Sequence, residues 1–120
     1  MKEYSFEKLE VWQLSRKLVK LTYSITTSFP EEEKFGIINQ MRRAAISVSS
    51  NISEGSSRNS YKDQARFTVI SYGSLMELLN QYILSNDLEW INNEDLIKSR
   101  ILIEEISNKL NGLRNYQLSK

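Results

Sequence analysis

The side chains of this sequence that could do chemistry are carboxylates, amines, guanidinium groups and hydroxyls, because the chain contains no cysteine and no histidine. Thiol nucleophiles, imidazole bases and the usual ligand sets of zinc, haem and di-iron centres, which need cysteine or histidine, are therefore excluded. The acidic run Glu31–Glu33 is expected to complement a helix dipole. The four glycines lie too far apart for a phosphate-binding loop. The sequence predicts a protein that is not an enzyme and has no catalytic residue, metal or cofactor.

Basic side chains concentrate in the middle of the chain, although the formal net charge is only +1. Residues 34–66 hold six basic and two acidic side chains, a net charge of +4, whereas the segments before and after hold −1 and −2. This segment alone has an electrostatic preference for polyanions. Its candidate contacts for nucleic acid, called the basic collar below, are Arg42, Arg43, Arg58, Lys62 and Arg66.

Each part of the basic collar has a second interpretation. Arg42 and Arg43 are adjacent and point about 100° apart on a helix, so either could instead form an ion pair with another helix, with Glu77 as a candidate partner. Arg58, Lys62 and Arg66 are spaced by four residues, so they would line one face of the third helix if that helix began early. They could then bind phosphate groups, or they could simply face solvent. The sequence leaves these alternatives open.

The elements that must position these residues are helices, because apolar residues recur every three or four positions in four separate stretches. Short connections between such stretches favour antiparallel neighbours. We therefore predict one all-α domain over residues 1–120, an antiparallel up-down-up-down four-helix bundle. The predicted helices run from Lys8 to Ser28, from Pro30 to a stop at Gly55, from a cap at Ser60 to Asn86-Asp87, and from a cap at Asn93 to a frayed tail over Tyr116–Lys120.

Several residues within these helices carry specific expectations. Gly73 predicts either a close helix approach or a local bend in the third helix. Trp12 and Trp90 are expected to close the two ends of the core. Three tyrosines of the third helix are predicted to pack in the core rather than to stack on nucleic-acid bases: Tyr61, Tyr72 and Tyr82.

A line of small and polar residues on the second helix suggests a contact surface: Gln40, Ala44, Ser47 and Asn51. Such a line allows close approach of another helix and offers hydrogen bonds to it. It could form a subunit interface, or it could pack against the first or fourth helix of the same chain, and the sequence favours neither.

Several segments together resemble one protein family. They are Phe6–Trp12, Gln40–Ala45, Ser47–Gly55 and Gly73–Leu78. The chain is similar over these segments to the four-helix-bundle family encoded by intervening sequences in bacterial 23S ribosomal RNA genes. The accessory protein of diversity-generating retroelements is a relative of that family.

The resemblance implies a bundle that assembles as a ring, often a homopentamer, without enzyme activity. It also implies nucleic-acid binding, since the retroelement relative works with a reverse transcriptase and structured RNA. The family motif falls on positions that the resemblance marks as structural or interfacial: Gln40, Arg42, Arg43, Asn51, Glu54, Gly55, Arg58 and Glu77.

Together these observations predict a non-enzymatic homo-oligomer that binds structured RNA, or DNA, through the basic collar. The alternative is a structural or adaptor ring that docks another protein. The N-terminal segment lacks the apolar region of a signal peptide, and the longest uncharged runs reach about half a membrane span. We therefore expect a cytoplasmic protein with no membrane partner.

Overall fold

The computed structural model describes residues 1–120 and contains four α-helices and no strand. The predicted all-α class is therefore confirmed. No helix is both long enough and apolar enough to span a lipid bilayer. One-turn 3₁₀ helices over Ser5–Lys8 and Glu31–Glu33 precede the first and second helices. The α-helices are α1 (Glu10–Thr26), α2 (Ile37–Ser56), α3 (Tyr61–Asp87) and α4 (Asn93–Leu118).

Contacts between α2 and α3 show that these two helices are antiparallel. The Ser71 hydroxyl donates to the Val48 carbonyl oxygen at 2.8 Å. Further along α3, the Ser85 hydroxyl lies 3.6 Å from the Met41 sulfur. The residue numbers of the contacts therefore decrease along α2 as they increase along α3. Each helix packs against the helices before and after it, and α1 also packs against α4. The four helices therefore pack as a bundle, as predicted.

The core forms where the apolar stripes of the four helices meet. Each fully buried leucine or isoleucine side chain stabilises the fold by roughly 1.5–3 kcal/mol relative to an exposed one. Aromatic pairs close the core, since Trp12 contacts Phe6 edge-on at 4.9 Å and Trp90 packs against Phe29 at 5.7 Å between ring centroids. The side chains with the least exposure include Leu18, Met41, Val48, Leu75, Leu78, Ile103, Ile106 and Leu110.

Tyr82 joins two helices that lie diagonally across the bundle. Its side chain is fully buried, and its hydroxyl lies 2.7 Å from the Thr22 hydroxyl of α1. Burial raises the pKa of Tyr82 to about 12, although the hydrogen bond with Thr22 acts in the opposite direction. The phenol is thus neutral in the folded protein over the whole ordinary pH range.

Small residues bring α2 and α3 close together. A Cβ atom placed on Gly55 would lie only 2.9 Å from the Cβ of Phe67. Nearer the middle of the two helices, the hydroxyls of Ser47 and Ser74 are 2.8 Å apart and share a hydrogen bond. Gly55 therefore serves close packing inside the last turn of α2, which continues to Ser56, rather than acting as the predicted helix stop.

The start of α2 and the end of α4 differ from the sequence predictions. The segment after Pro30 forms only a 3₁₀ turn, because the backbone of Gly36 (φ −108°, ψ −116°) leaves the helical region before α2 begins at Ile37. The C-terminal segment is helical to Leu118 rather than frayed, since Gln117 is buried and accepts a 2.8 Å hydrogen bond from Thr68.

The N-terminal caps of α3 and α4 follow local sequence signals. Ser60 accepts a 3.1 Å hydrogen bond from the Asp63 backbone N–H, which confirms the predicted cap of α3. The cap of α4 is Asn92, whose side chain accepts from the Asp95 N–H at 2.8 Å, and not the predicted Asn93.

Gly73 and Tyr61 do not have the roles predicted for them. Gly73 lies within a continuous α3, and no atom comes within 4 Å of where its Cβ would stand, so it serves neither close approach nor a bend. Tyr61 is 44% exposed and lies beside Tyr116 instead of in the core. Tyr82 is in the core as predicted, and Tyr72 packs at its edge.

We predict opposite effects for alanine at two glycines. Gly55→Ala forces a methyl group against Phe67 and should lower the free energy of unfolding by about 1–3 kcal/mol. Gly73→Ala adds a methyl group in open space to an exposed helix and should raise that free energy by about 0.5–1 kcal/mol. Urea denaturation of the two variants and the unaltered chain measures both changes. Equal stabilities for the two variants would contradict the close approach of α2 and α3.

We predict a loss of stability at alkaline pH that depends on Tyr82. Its folded pKa of about 12 lies above the unfolded value of 10.0, so its contribution is complete below pH 10 and is lost as pH rises toward 12. The free energy of unfolding should fall by about 1.4 kcal/mol per pH unit over this range. Denaturation of Tyr82→Phe controls for all other titrating groups and should show a slope smaller by this amount. Identical slopes for Tyr82→Phe and the unaltered chain would show that Tyr82 does not cause the loss of stability at alkaline pH.

Candidate nucleic-acid interface

The residues of the basic collar occupy three separate places on the bundle. Arg42 and Arg43 lie in the first half of α2, and Arg58 follows the end of that helix. Fifteen positions separate Arg43 from Arg58, about 20 Å along the helix axis at about 1.5 Å per residue. The five cations therefore form one cluster at the α2–α3 connection and two individual sites on opposite flanks of α2.

The cluster at the α2–α3 connection, called the basic rim here, consists of Arg58, Lys62 and Arg66. Asp63 pairs with both arginines, at 3.9 Å from Arg58 and 3.1 Å from Arg66. The two guanidinium groups also lie 4.5 and 4.7 Å from the ring centroid of Phe67. Lys62 is exposed and takes part in none of the ion pairs of the structure. The rim thus presents three cations against one paired carboxylate.

Two exposed tyrosines lie beside the basic rim. Tyr61 and Tyr116 meet edge to face, with ring centroids 6.1 Å apart and planes at 84°. Tyr116 raises the pKa of Tyr61 above its ordinary value of 10.0, first through side-chain hydrogen bonding and then through charge repulsion. The Tyr61 ring is neutral at pH 7, as any phenol with such a pKa is. The Lys120 ammonium lies 4.8 Å from the Tyr116 ring. An exposed neutral ring next to cations is chemically suited to stack on a nucleobase.

Arg42 is fixed against α1 by contacts with uncharged groups. Its guanidinium group lies 4.4 Å from the ring centroid of Tyr23, and its Nε donates to the Thr26 hydroxyl at 3.0 Å. The alternative ion pair with Glu77 does not form for Arg42 or Arg43. Arg42 is therefore positioned without an ion pair, in a groove that also includes Glu31 and Lys34.

Arg43 and Glu77 line an open groove of about 350 Å³ between α2 and α3, called the α2–α3 groove below. The two charged groups face this groove without forming an ion pair. Glu77 accepts a 3.2 Å hydrogen bond from the side-chain NH₂ group of Gln81, and the side-chain oxygen of Gln81 (Oε1) is buried without a partner. The complete lining is Gln40, Arg43, Ala44, Ser47, Ser74 and Glu77.

The small polar line of α2 packs mainly within the chain. Ala44 is 4% exposed, and Asn51 donates to the Ser47 carbonyl oxygen at 2.9 Å. Ser47 also bonds to Ser74 of α3, so the intrachain neighbour is α3 rather than the first or fourth helix. Gln40 remains exposed, and it lines the α2–α3 groove together with part of Ser47 and Ala44.

Glu54 and Gly55 close the last turn of α2. Gly55 makes room for Phe67, and the guanidinium groups of Arg58 and Arg66 lie against the Phe67 ring. The Glu54 carbonyl oxygen accepts from the Ser57 hydroxyl at 2.6 Å, and its carboxylate is exposed without an ion pair. This part of the family motif shapes the turn that presents the rim.

A basic groove that the sequence analysis missed lies between α1 and α2. Its volume is about 360 Å³, and it is called the α1–α2 groove below. Arg16 and Lys20 escaped notice because the first 33 residues have a net charge of −1. Their spacing of four residues was the available signal, since it places both on one face of α1. The lining is Arg16, Val19, Lys20, Ile46, Ser49 and Ser50.

The fold and these surfaces define an antiparallel four-helix bundle whose exposed arginines and lysines are mostly not paired with carboxylates. The chain belongs to the family described as 23S rRNA-intervening sequence protein, whose family model matches residues 7–112. That match spans α1 to α3 and most of α4, and it confirms the resemblance drawn from the sequence segments. No curated protein matches the chain.

Proposed function

We propose that this chain is a non-catalytic homo-oligomer that binds structured nucleic acid, RNA above all, through the basic collar. The observation that carries the proposal is the state of the collar's charges. Among its five cations, only Arg58 and Arg66 form ion pairs, and both use the same carboxylate of Asp63. Unneutralised cations on a surface attract a polyanion and release its counterions on binding. The family description refers to intervening sequences of 23S rRNA, so ribosomal RNA is the first ligand to test.

The surroundings of the basic rim favour RNA with exposed bases. Tyr61 presents an uncharged ring immediately before Lys62, so a base and its phosphate could be contacted together. Aromatic stacking contributes roughly 1–3 kcal/mol per base. Loops and bulges of folded RNA offer such unstacked bases, whereas a continuous duplex does not.

The α2–α3 groove supports assembly from identical copies. It holds an unpaired cation, Arg43, and an unpaired anion, Glu77, together with the exposed Gln40. A self-complementary surface of this kind suits contacts between copies, in which each charge meets its opposite on the neighbour. Such a self-complementary contact joins two copies about a twofold axis. A ring, such as the pentamer implied by the family, needs in addition a head-to-tail contact between two different surfaces, and it would repeat the cations of the basic collar and strengthen binding through multiple contacts.

The alternative function is that of an adaptor ring that docks another protein. It is favoured by two exposed apolar side chains one turn apart at the C-terminal end of α3, namely Leu84 and Leu88, the residue that follows the helix. Apolar residues that cluster on a surface are typical of protein interfaces. Nucleic-acid binding by the purified chain separates the two functions, because the adaptor function does not require it.

We predict that Lys62→Gln weakens RNA binding without changing the fold, because Lys62 makes no ion pair. Loss of one phosphate contact should lower affinity roughly five- to tenfold near 0.1 M salt and reduce the salt slope by about 0.7–0.9. Filter binding to ribosomal RNA fragments at about 50 and about 200 mM salt measures both quantities. Replacing Arg58 and Arg66 as well should flatten the slope further.

The control for this experiment is Lys98→Gln, which removes the same charge from an exposed position on α4. Its affinity and salt slope should equal those of the unaltered chain. If the unaltered chain bound no RNA even at the lower salt concentration, the nucleic-acid function would be wrong and the adaptor function would be favoured.

We predict that Arg43→Glu disrupts the oligomer, because it places two acidic groups in the α2–α3 groove and leaves no cation opposite Glu77. The double variant Arg43→Glu/Glu77→Arg exchanges the charges and should restore assembly. Light scattering at micromolar concentration distinguishes the 14.0 kDa monomer from larger species. A monomeric unaltered chain would refute oligomerisation, and an unchanged oligomer in the single variant would place the interface elsewhere.

A further inference from the structure

We propose that the α1–α2 groove is a second binding site for nucleic acid, one that holds phosphate groups of the sugar–phosphate backbone. This inference rests on the proposed function, but all five residues that define the site lie outside both the basic collar and the small polar line of α2. The site is defined by Arg16 and Lys20 of α1 and by Ile46, Ser49 and Ser50 of α2.

The charge of the α1–α2 groove distinguishes it from the other large grooves of the bundle. It is lined by two cations and no carboxylate. Four other surface grooves each include an acidic residue: Glu77, Glu31, Glu89 and Glu104. Neither Arg16 nor Lys20 takes part in an ion pair. A concave surface with two free cations and no negative charge is selective for anions.

The polar groups of the groove are arranged along both walls. Arg16 and Lys20 lie one helical turn apart, about 6 Å along the axis of α1. The hydroxyl-bearing Ser49 and Ser50 face them from α2. Charged groups from one side and hydroxyl donors from the other are the usual contacts to phosphate oxygens in nucleic-acid complexes. The half-exposed Ile46 offers an apolar surface on which a sugar ring can rest.

Arg16 is already held in place for such a contact. Its guanidinium group lies 4.9 Å from the ring centroid of Trp12 and donates to the Gln13 side chain at 3.3 Å. These contacts restrict the side chain without neutralising it, so less conformational entropy is lost on binding. Its arrangement matches that of Arg42, which is held against Tyr23 further along α1.

The three cations follow the boundary between α1 and α2. Arg16 comes first, Lys20 follows one turn later, and Arg42 lies over Tyr23. Arg16 and Tyr23 are seven positions apart, about 10 Å along the axis. This length suits several consecutive phosphates of a strand better than a single bound ion. It also connects the groove to the basic collar through Arg42.

Trp12 provides a direct readout of this site, because the Arg16 side chain covers it. The chain has two tryptophans, so Trp90→Phe leaves Trp12 as the single reporter. Titration with a single-stranded oligouridylate should then produce a saturable change in Trp12 fluorescence. In the same background, Arg16→Gln/Lys20→Gln should abolish this change and lower affinity by anisotropy at least tenfold, since two phosphate contacts are lost.

The matched control is Lys98→Gln/Arg100→Gln, which removes two exposed charges from α4, a helix that does not pack against α2. Its Trp12 response and affinity should stay unchanged. A parallel titration with inorganic pyrophosphate tests whether a free anion suffices. An equal response to pyrophosphate at the same concentration would overturn the assignment to a nucleic-acid strand.

The remaining outcomes separate this inference from the proposed function. In one outcome, RNA binding weakens in Lys62→Gln but is unaffected in Arg16→Gln/Lys20→Gln, and Trp12 fluorescence does not change on binding. This outcome would overturn the groove site and leave the proposed function standing. Complete absence of RNA binding by the unaltered chain would overturn both. A Trp12 response that is lost only in Arg16→Gln/Lys20→Gln would support the groove site.

Discussion

The close approach of α2 and α3 is the constraint on which the rest of the structure depends. At Gly55 the two helices are so near that a single methyl group would collide with Phe67. The paired hydroxyls of Ser47 and Ser74 keep the helices in the same register further along. Because Phe67 is fixed by this approach, the arginines that lie against its ring are fixed too. The packing of small residues thus determines where the cations of the α2–α3 connection stand.

Aromatic rings, more than carboxylates, hold the arginines of this protein. Arg16 lies against Trp12, Arg42 lies against Tyr23, and the arginines of the basic rim lie against Phe67. Each such contact contributes roughly 0.5–1 kcal/mol at an exposed site. Such a contact restricts the side chain without neutralising it, which leaves the full charge of Arg16 and Arg42 available to a ligand, whereas Arg58 and Arg66 also share the carboxylate of Asp63. A nearly neutral chain can therefore present preorganised local cations, which net charge alone does not reveal.

Helical periodicity and local caps were sufficient to predict the fold, because both depend only on residues that are close together in the sequence. The cap at Ser60 and the core stripes through Val48 and Ile106 are examples. Features that depend on a distant neighbour were not predictable in this way. Gly73 could not be assigned without knowing which helix faces it, and the α1–α2 groove joins residues about thirty positions apart. The charge of residues 34–66 therefore predicted the basic collar. The α1–α2 groove became visible only once the packing of α1 against α2 was known.

The geometry of α2 explains how one helix could serve both assembly and ligand binding. Consecutive residues point about 100° apart, so Arg42 faces α1 and Arg43 faces the groove shared with α3. If copies meet at the α2–α3 groove as proposed, the α1–α2 groove stays open on the opposite flank of the same helix. Assembly would then pair Arg43 of the basic collar with Glu77 of a neighbouring copy, and nucleic acid would be left to Arg42, the basic rim and the α1–α2 groove. The two adjacent arginines of the family motif therefore serve two different surfaces, Arg42 the side of α2 that faces α1 and Arg43 the α2–α3 groove.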